Sequence, residues 1–236
     1  MAEGRTIVER LLTRSRFPVR ALLMTRATAN GLALPLAGLQ ASARVYIADA
    51  RVISSVVGFG FHRGCVALGE RRPEPTLDEL LVPPGPRALV VLDELADPDN
   101  VGGVFRNARA FGVDAAVLSS GTADPLYRKA IRVSAGATLC LPFARLAAWE
   151  AGLRRVQACG YTLVALTPDP TAVDIDNLER APARLALAVG AEGHGLGAIT
   201  RATAQLRVRI PMAAGVDSLN VATATGIALH RLRGSR

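Results

Sequence analysis

Two side chains of contrasting chemistry stand close together in "DPDNVGGVFRNARAFG": the amide of Asn100 and the guanidinium of Arg106. Further along, the carboxylate of Glu192 lies inside the glycine run "GAEGHGLG", and a hydroxyl and an amide, Ser218 and Asn220, open the stretch "SLNVATATGIAL". A guanidinium offers a rigid fork of donors that suits planar, forked contacts with phosphate. A carboxylate is poorly placed in a phosphate cradle, but it accepts hydrogen bonds or holds an arginine. Each feature also has a plainer reading. Asn100 could cap a surface helix on which Arg106 is an ordinary solvated arginine, and Asn220 could cap an Ala-rich core helix.

The elements that must position these groups can be read from the pattern of apolar residues. Strands are expected at "ALVVL", "AAVLS", "TLCLPF", "YTLVALT", "LALAVG" and "LRVRIP", with helical segments between them that include 101–111 and 147–159. Apolar strands alternating with helices imply a mainly parallel sheet covered on both faces, whose ligands bind beyond the carboxyl ends of the strands. The candidate residues all fall at such strand exits. Asp97, Pro98 and Asp99 read as a turn, followed by a helix with Val101, Val104, Phe105 and Ala108 at core spacing.

Glycines at 190, 193, 195 and 197 after a buried strand call for a tight turn or a close approach to a ligand. The run is neither the dinucleotide fingerprint GxGxxG nor a P-loop, which would end in GK[ST]. A nucleotide-dependent oxidoreductase would need an early fingerprint, and "DNVGGVFRNA" does not supply one.

Composition sets the outer bounds. The chain has 236 residues, 50% of them apolar, which is enough for a substantial core. Its net charge is +8, carried almost entirely by arginine, which makes nucleic acid the leading partner class, while charge alone is equally compatible with a merely solvated basic surface. Cys65, Cys140 and Cys159 are scattered, with no CxxC and no histidine cluster, so all three are expected to be buried thiols, with neither a metal site nor a disulfide framework. No apolar run approaches the roughly 20 residues of a membrane span, and the opening residues lack a signal pattern. A cytoplasmic protein is expected.

Prolines at 73, 75, 83, 84 and 86, interleaved with charges, read as an extended linker. Before it, a helical pattern (Ile7, Val8, Leu11, Leu12) mixes with the short strands "ALLMT", "RVYIA" and "CVAL" in a small α/β module. The expected organisation is residues 1–72, a linker 73–86, and a larger α/β unit 87–236.

Taken in order, Asn100, Gly102, Arg106 and Ala108, then "GAEGHGL", then "IPM" with "SLNVATATGIAL", resemble the three motifs of the SpoU (TrmH-like) family of SPOUT methyltransferases. These are RNA ribose 2′-O-methyltransferases that use S-adenosylmethionine. The likeness covers roughly residues 88–232. The N-terminal module resembles the family's L30e-like RNA-binding domain, with Arg63 of "FHRGCVAL" standing where the family pattern has glutamine.

The resemblance implies a trefoil-knotted C-terminal domain, a homodimer packed through the last helix, and an RNA substrate, ribosomal RNA in preference to transfer RNA. It places Leu166, Thr167, Gly190, Glu192, Gly195, Ile210, Met212, Ser218 and Leu219 around the cofactor, mainly through main-chain groups, with no metal. It assigns the chemistry to Asn100, Arg106, Glu192, Ser218 and Asn220. A guanidinium with a pKa above about 12 is a poor base at neutral pH, so the role expected of Arg106 is to bind the phosphate beside the target ribose and stabilise a developing alkoxide.

Overall fold

A computed structural model describes residues 1–58, 60–81, 87–178 and 181–233. Two sheets organise them. The first uses β1 (Ala2–Glu3), β2 (Val19–Met24), β3 (Arg44–Ile47) and β4 (Cys65–Gly69) in the order β1-β4-β2-β3, with β2 and β3 parallel and the other pairs antiparallel. Helices α1 (Arg5–Arg14), α2 (Arg26–Gly31), α3 (Ala33–Ala37) and α4 (Ala50–Val57) accompany it. The expected helical pattern holds: Ile7, Val8 and Leu11 of α1 are buried.

Within the segment expected to be extended, residues 77–81 instead form α5 (Leu77–Leu81). Thr76 and Glu79 explain it. Each reaches the other's backbone N–H, at 2.7 and 3.2 Å, a reciprocal cap that starts a helix despite the nearby prolines. Pro83, Pro84 and Pro86 lie outside the described residues.

The second sheet is built from β5 (Ala88–Asp93), β6 (Ala115–Leu118), β7 (Phe143–Arg145), β8 (Thr162–Leu166), β9 (Val173–Asp174), β10 (Leu185–Gly190) and β11 (Leu206–Arg209). Their order is β7-β6-β5-β10-β8-β11-β9, and every pairing is parallel among the described residues. Helices α6 (Pro98–Ala110), α7 (Arg128–Val133), α8 (Trp149–Ala158), α9 (Ala198–Thr203) and α10 (Val221–Arg233) cover its faces. This is the expected α/β architecture with a parallel sheet.

Side-chain alternation explains the two-faced burial. Ala88, Val90 and Leu92 of β5 join the core under α6 and α10, while Leu89 and Val91 join the core under α8. Phe105 of α6 is fully buried and meets Phe143 edge to face, with ring centroids 5.9 Å apart. Phe105→Ala is expected to lower unfolding free energy by about 3–5 kcal/mol, read from denaturant midpoints.

"TLCLPF" departs from its expected strand. Residues 137–139 form a 3₁₀ turn, and only Phe143–Arg145 pairs in the sheet. Its apolar residues serve packing rather than pairing: Leu139 fills the core of the first sheet together with Ile131, so the two sheets share apolar contacts. Polar contacts cross the same junction. The carboxylate of Glu3, only 7% exposed, receives Arg128 at 2.7 Å and lies 3.5 Å from Arg63. Arg63 thus faces a buried carboxylate at this junction.

Of the cysteines, only Cys65 is buried, and burial pushes its thiol pKa up to about 11, which leaves it unreactive near neutral pH. Cys140 and Cys159 are half-buried rather than buried as expected, and all three are free thiols. No helix among the described residues is long and apolar enough to cross a membrane.

Candidate active site

The strands β8, β10 and β11 all end at one side of the sheet, and their exits surround a cleft of about 660 Å³. Its walls include Leu166 and Thr167 after β8, the loop 190–196 after β10, Ile210 and Met212 after β11, and residues 217–221 leading into α10. Leu166, Thr167, Gly190, Glu192, Gly195, Ile210, Met212, Ser218 and Leu219 all line it. A cleft at the carboxyl ends of parallel strands follows from the fold, because the loops there can vary without disturbing the sheet.

Asn220 ties three elements together at the rim. Its Oδ1 accepts from the N–H groups of Ala222 at 3.0 Å and Thr223 at 3.2 Å, capping α10. Its Nδ2 donates to Asn100 Oδ1 at 2.9 Å and to Glu192 Oε1 at 3.0 Å. The capping reading and the site reading therefore hold together, since the acceptor end serves the helix and the donor end joins the glycine loop to α6.

Asn100 is not a cap. Asp97 takes that place, accepting from Asp99 N–H at 3.0 Å, with Pro98 at the first helical position, so the expected turn is the first turn of α6. Asn100 is instead 7% exposed and aimed at Asn220.

Close packing holds α6 and α10 in register. A Cβ on Gly103 would lie 2.5 Å from the Ala222 Cβ, and Asn107 Nδ2 donates to the Ala222 carbonyl at 2.6 Å. Residues 100, 103 and 107 thus form the stripe of α6 that faces α10. Arg106, about 100° from Asn107 around the helix, lies off that stripe. It is exposed, makes no hydrogen bond or ion pair among the described residues, and does not line the cleft. One chain therefore brings together Asn100, Glu192, Ser218 and Asn220 without Arg106.

The glycines act in different ways. Gly193 and Gly195 have φ of +91° and +68°, with open space where a Cβ would be. Gly190 is required by the loop itself: a Cβ there would lie 2.2 to 2.4 Å from backbone atoms of Gly195 and Leu196. The near approach expected for a ligand is, at Gly190, an approach of the chain to itself.

One buried group was missed by sequence reasoning. Asp93, 3% exposed at the end of β5, accepts from Gly197 N–H at 2.8 Å and from Thr200 Oγ1 at 2.6 Å. A carboxylate ending a run of five apolar strand residues was the available signal. Arg201, on the cleft wall, donates to the Leu196 carbonyl at 2.6 Å. No group of three or more His, Cys, Asp or Glu side chains among the described residues is arranged to hold a metal ion.

A doubly covered parallel sheet with a polar cluster on a cleft at its strand ends places the chain among α/β proteins that bind ligands at the strand exits. Residues 87–230 match the SpoU rRNA Methylase family, and the chain belongs to that family of RNA methyltransferases. It is 43% identical over 232 residues to an uncharacterized tRNA/rRNA methyltransferase of Mycobacterium tuberculosis, covering 98% of this chain and 79% of that one. It is 33% identical over 171 residues to the 23S rRNA (guanosine-2'-O-)-methyltransferase RlmB of Vibrio vulnificus, 71% of this chain and 68% of the relative. An AdoMet-bound rRNA methyltransferase of Sinorhizobium meliloti superposes with a TM-score of 0.81 at 27% identity, over 99% of this chain and 86% of its own.

Proposed function

We propose that this protein is a cytoplasmic homodimer that methylates the 2′-hydroxyl of a ribose in structured RNA, ribosomal RNA in preference to transfer RNA, using S-adenosylmethionine. The observation that carries the reading is the Asn100–Asn220–Glu192 cluster at the rim of the strand-exit cleft. The relatives' names support the reaction and the substrate class, and the charge of +8 suits a polyanion.

The cleft suits the cofactor on its own terms. Its volume falls within the roughly 300–1,000 Å³ typical of small-molecule sites. Leu166, Ile210 and Leu219 offer apolar faces to a flat base, and the open space beside Gly193 and Gly195 admits a ligand close to the main chain. Bound there, S-adenosylmethionine supplies an electrophilic methyl whose leaving group is a neutral thioether, so no metal is called for.

Asn100, Asn220, Glu192 and Ser218 orient the ribose at the rim. Arg106, delivered from the neighbouring subunit, binds the adjacent phosphate and stabilises the developing alkoxide, with the proton leaving through phosphate or water. Exposed Ile227 and the small residues of α10 support packing of this helix against its mate. Residues 1–72 form an L30e-like RNA-binding domain, 73–86 join it to the methyltransferase domain, and 87–236 carry the trefoil knot. Support for the knot comes from the family to which residues 87–230 belong.

The test offers purified protein labelled S-adenosylmethionine with ribosomal RNA or transfer RNA lacking the modification, with and without a chelator. Label is expected in ribosomal RNA, at a linkage resistant to alkali, whether or not the chelator is present. Label on a base would reject the ribose assignment. Cofactor binding with no transfer to any RNA would indicate an RNA-binding protein without the reaction.

A further inference from the structure

The glycine loop bordering the cleft has two glycines in left-handed conformations with nothing packed where their side chains would be, so packing at those positions does not fix it. Its far end is fixed instead by a buried polar chain outside the cleft. Asp93 Oδ2 accepts from Gly197 N–H and from the Thr200 hydroxyl, at 2.8 and 2.6 Å. The Thr200 oxygen in turn accepts from the indole N–H of Trp149, at 2.9 Å. Thr200 is fully buried, and Trp149, in the first turn of α8, is the sole tryptophan of the chain. Neither Asp93, Thr200 nor Trp149 lines the cleft.

We propose that Thr200, held between Asp93 and Trp149, is a positioning residue that sets the glycine loop for cofactor binding. The hydroxyl is used in both directions, donating its proton to the carboxylate and accepting the indole proton. Valine has nearly the same shape but does neither, and serine does both. The bonds to a carboxylate are the stronger kind, and Asp93 and Thr200 are both buried, so removing the hydroxyl leaves Gly197 held by its own bond to Asp93 alone and lets α9 shift. The adjoining loop residues, from Gly190 to Leu196, shift with it. The inference rests on S-adenosylmethionine being the ligand of this cleft.

The experiment compares wild type, Thr200→Val and Thr200→Ser. Cofactor affinity is measured by calorimetry, thermal stability by unfolding, and steady-state rates are followed with RNA. Thr200→Val is expected to weaken S-adenosylmethionine binding at least about tenfold and to raise its KM in parallel, with a clearly smaller loss of kcat at saturating cofactor, because bound cofactor draws the loop and Glu192 back into place. Its Trp149 emission changes because the indole partner is gone. Thr200→Ser is expected within about twofold of wild type throughout.

A merely structural threonine would lower stability and active fraction without separating the cofactor's KM from kcat, and that result overturns the proposal. So does unchanged affinity in Thr200→Val with altered Trp149 emission. Asp93→Asn serves if the valine variant does not fold: it keeps the shape, removes the charge from both bonds, and is expected to weaken cofactor binding several-fold, with unchanged affinity again overturning the idea. Wild type that binds no S-adenosylmethionine would mark failure of the underlying reading, an outcome distinct from equal binding by wild type and variants.

Discussion

Arg106→Ala and Asn220→Ala are each expected to lose methyl transfer by on the order of 10²–10³-fold as homodimers, and a heterodimer of the two is expected to regain part of it. Asn220 sits at the cleft rim with Asn100 and Glu192, while Arg106 of the same chain is exposed on α6 and away from the cleft. If a second subunit supplies the guanidinium, two-fold symmetry gives two composite sites. In the mixed dimer one of them lacks both residues and the other lacks neither.

Arg106→Ala removes no hydrogen bond or ion pair among the described residues, so its stability should remain near wild type. Asn220→Ala also removes the cap of α10 and is expected to cost about 0.5–2 kcal/mol, checked by unfolding before rates are compared. A verified heterodimer no more active than either parent would reject the shared site. Arg106→Lys sharpens the test, since it keeps the charge but loses the planar fork. A large loss of rate with little change in cofactor affinity is expected, and near-normal turnover would remove the case for a fork-shaped contact.

The sequence made the parallel sheet legible because its strands are buried on both faces, and continuous runs such as Leu185 to Val189 leave little room for another reading. It also located the cleft wall, since strand exits carry the glycines and the polar groups. What it could not show depended on contacts between distant segments. "TLCLPF" has the composition of a strand, yet Leu139 is drawn into the core of the other sheet, and the chain turns there. Asn100 has the type and place of a cap, but Asp97 and Pro98 start the helix earlier and free its amide for Asn220, which lies 120 residues away. Asp93 gives no local sign of its partners, because Gly197 and Thr200 reach it only once β10 lies beside β5.

The same dependence on distant contacts makes Gly190 the glycine least able to change. At Gly195 an alanine meets open space and costs mainly the left-handed backbone, about 1–2 kcal/mol, so Gly195→Ala should weaken cofactor binding in part. Valine at 195 adds a branched side chain projecting into that space and is expected to weaken binding further. Gly190 has no positive φ, and its difficulty is steric. The added Cβ would lie 2.2 Å from Gly195 C, 2.3 Å from Leu196 N and 2.4 Å from Gly195 O. All three are backbone atoms, so no rotamer change relieves the overlap, and the loop must swing off the end of β10. That motion breaks the Ala191–Gly195 bridge and pulls Glu192 from Asn220. Gly190→Ala is therefore expected to weaken S-adenosylmethionine binding by more than about a hundredfold, which corresponds to nearly 3 kcal/mol of binding free energy. Of the loop only Leu196 reaches into the core, so unfolding should stay cooperative, with a lowered midpoint. Titration of the folded variant decides the matter: affinity within tenfold of wild type would mean that the loop relaxes without losing its ligand contacts, and that its closed form is not what the cofactor requires.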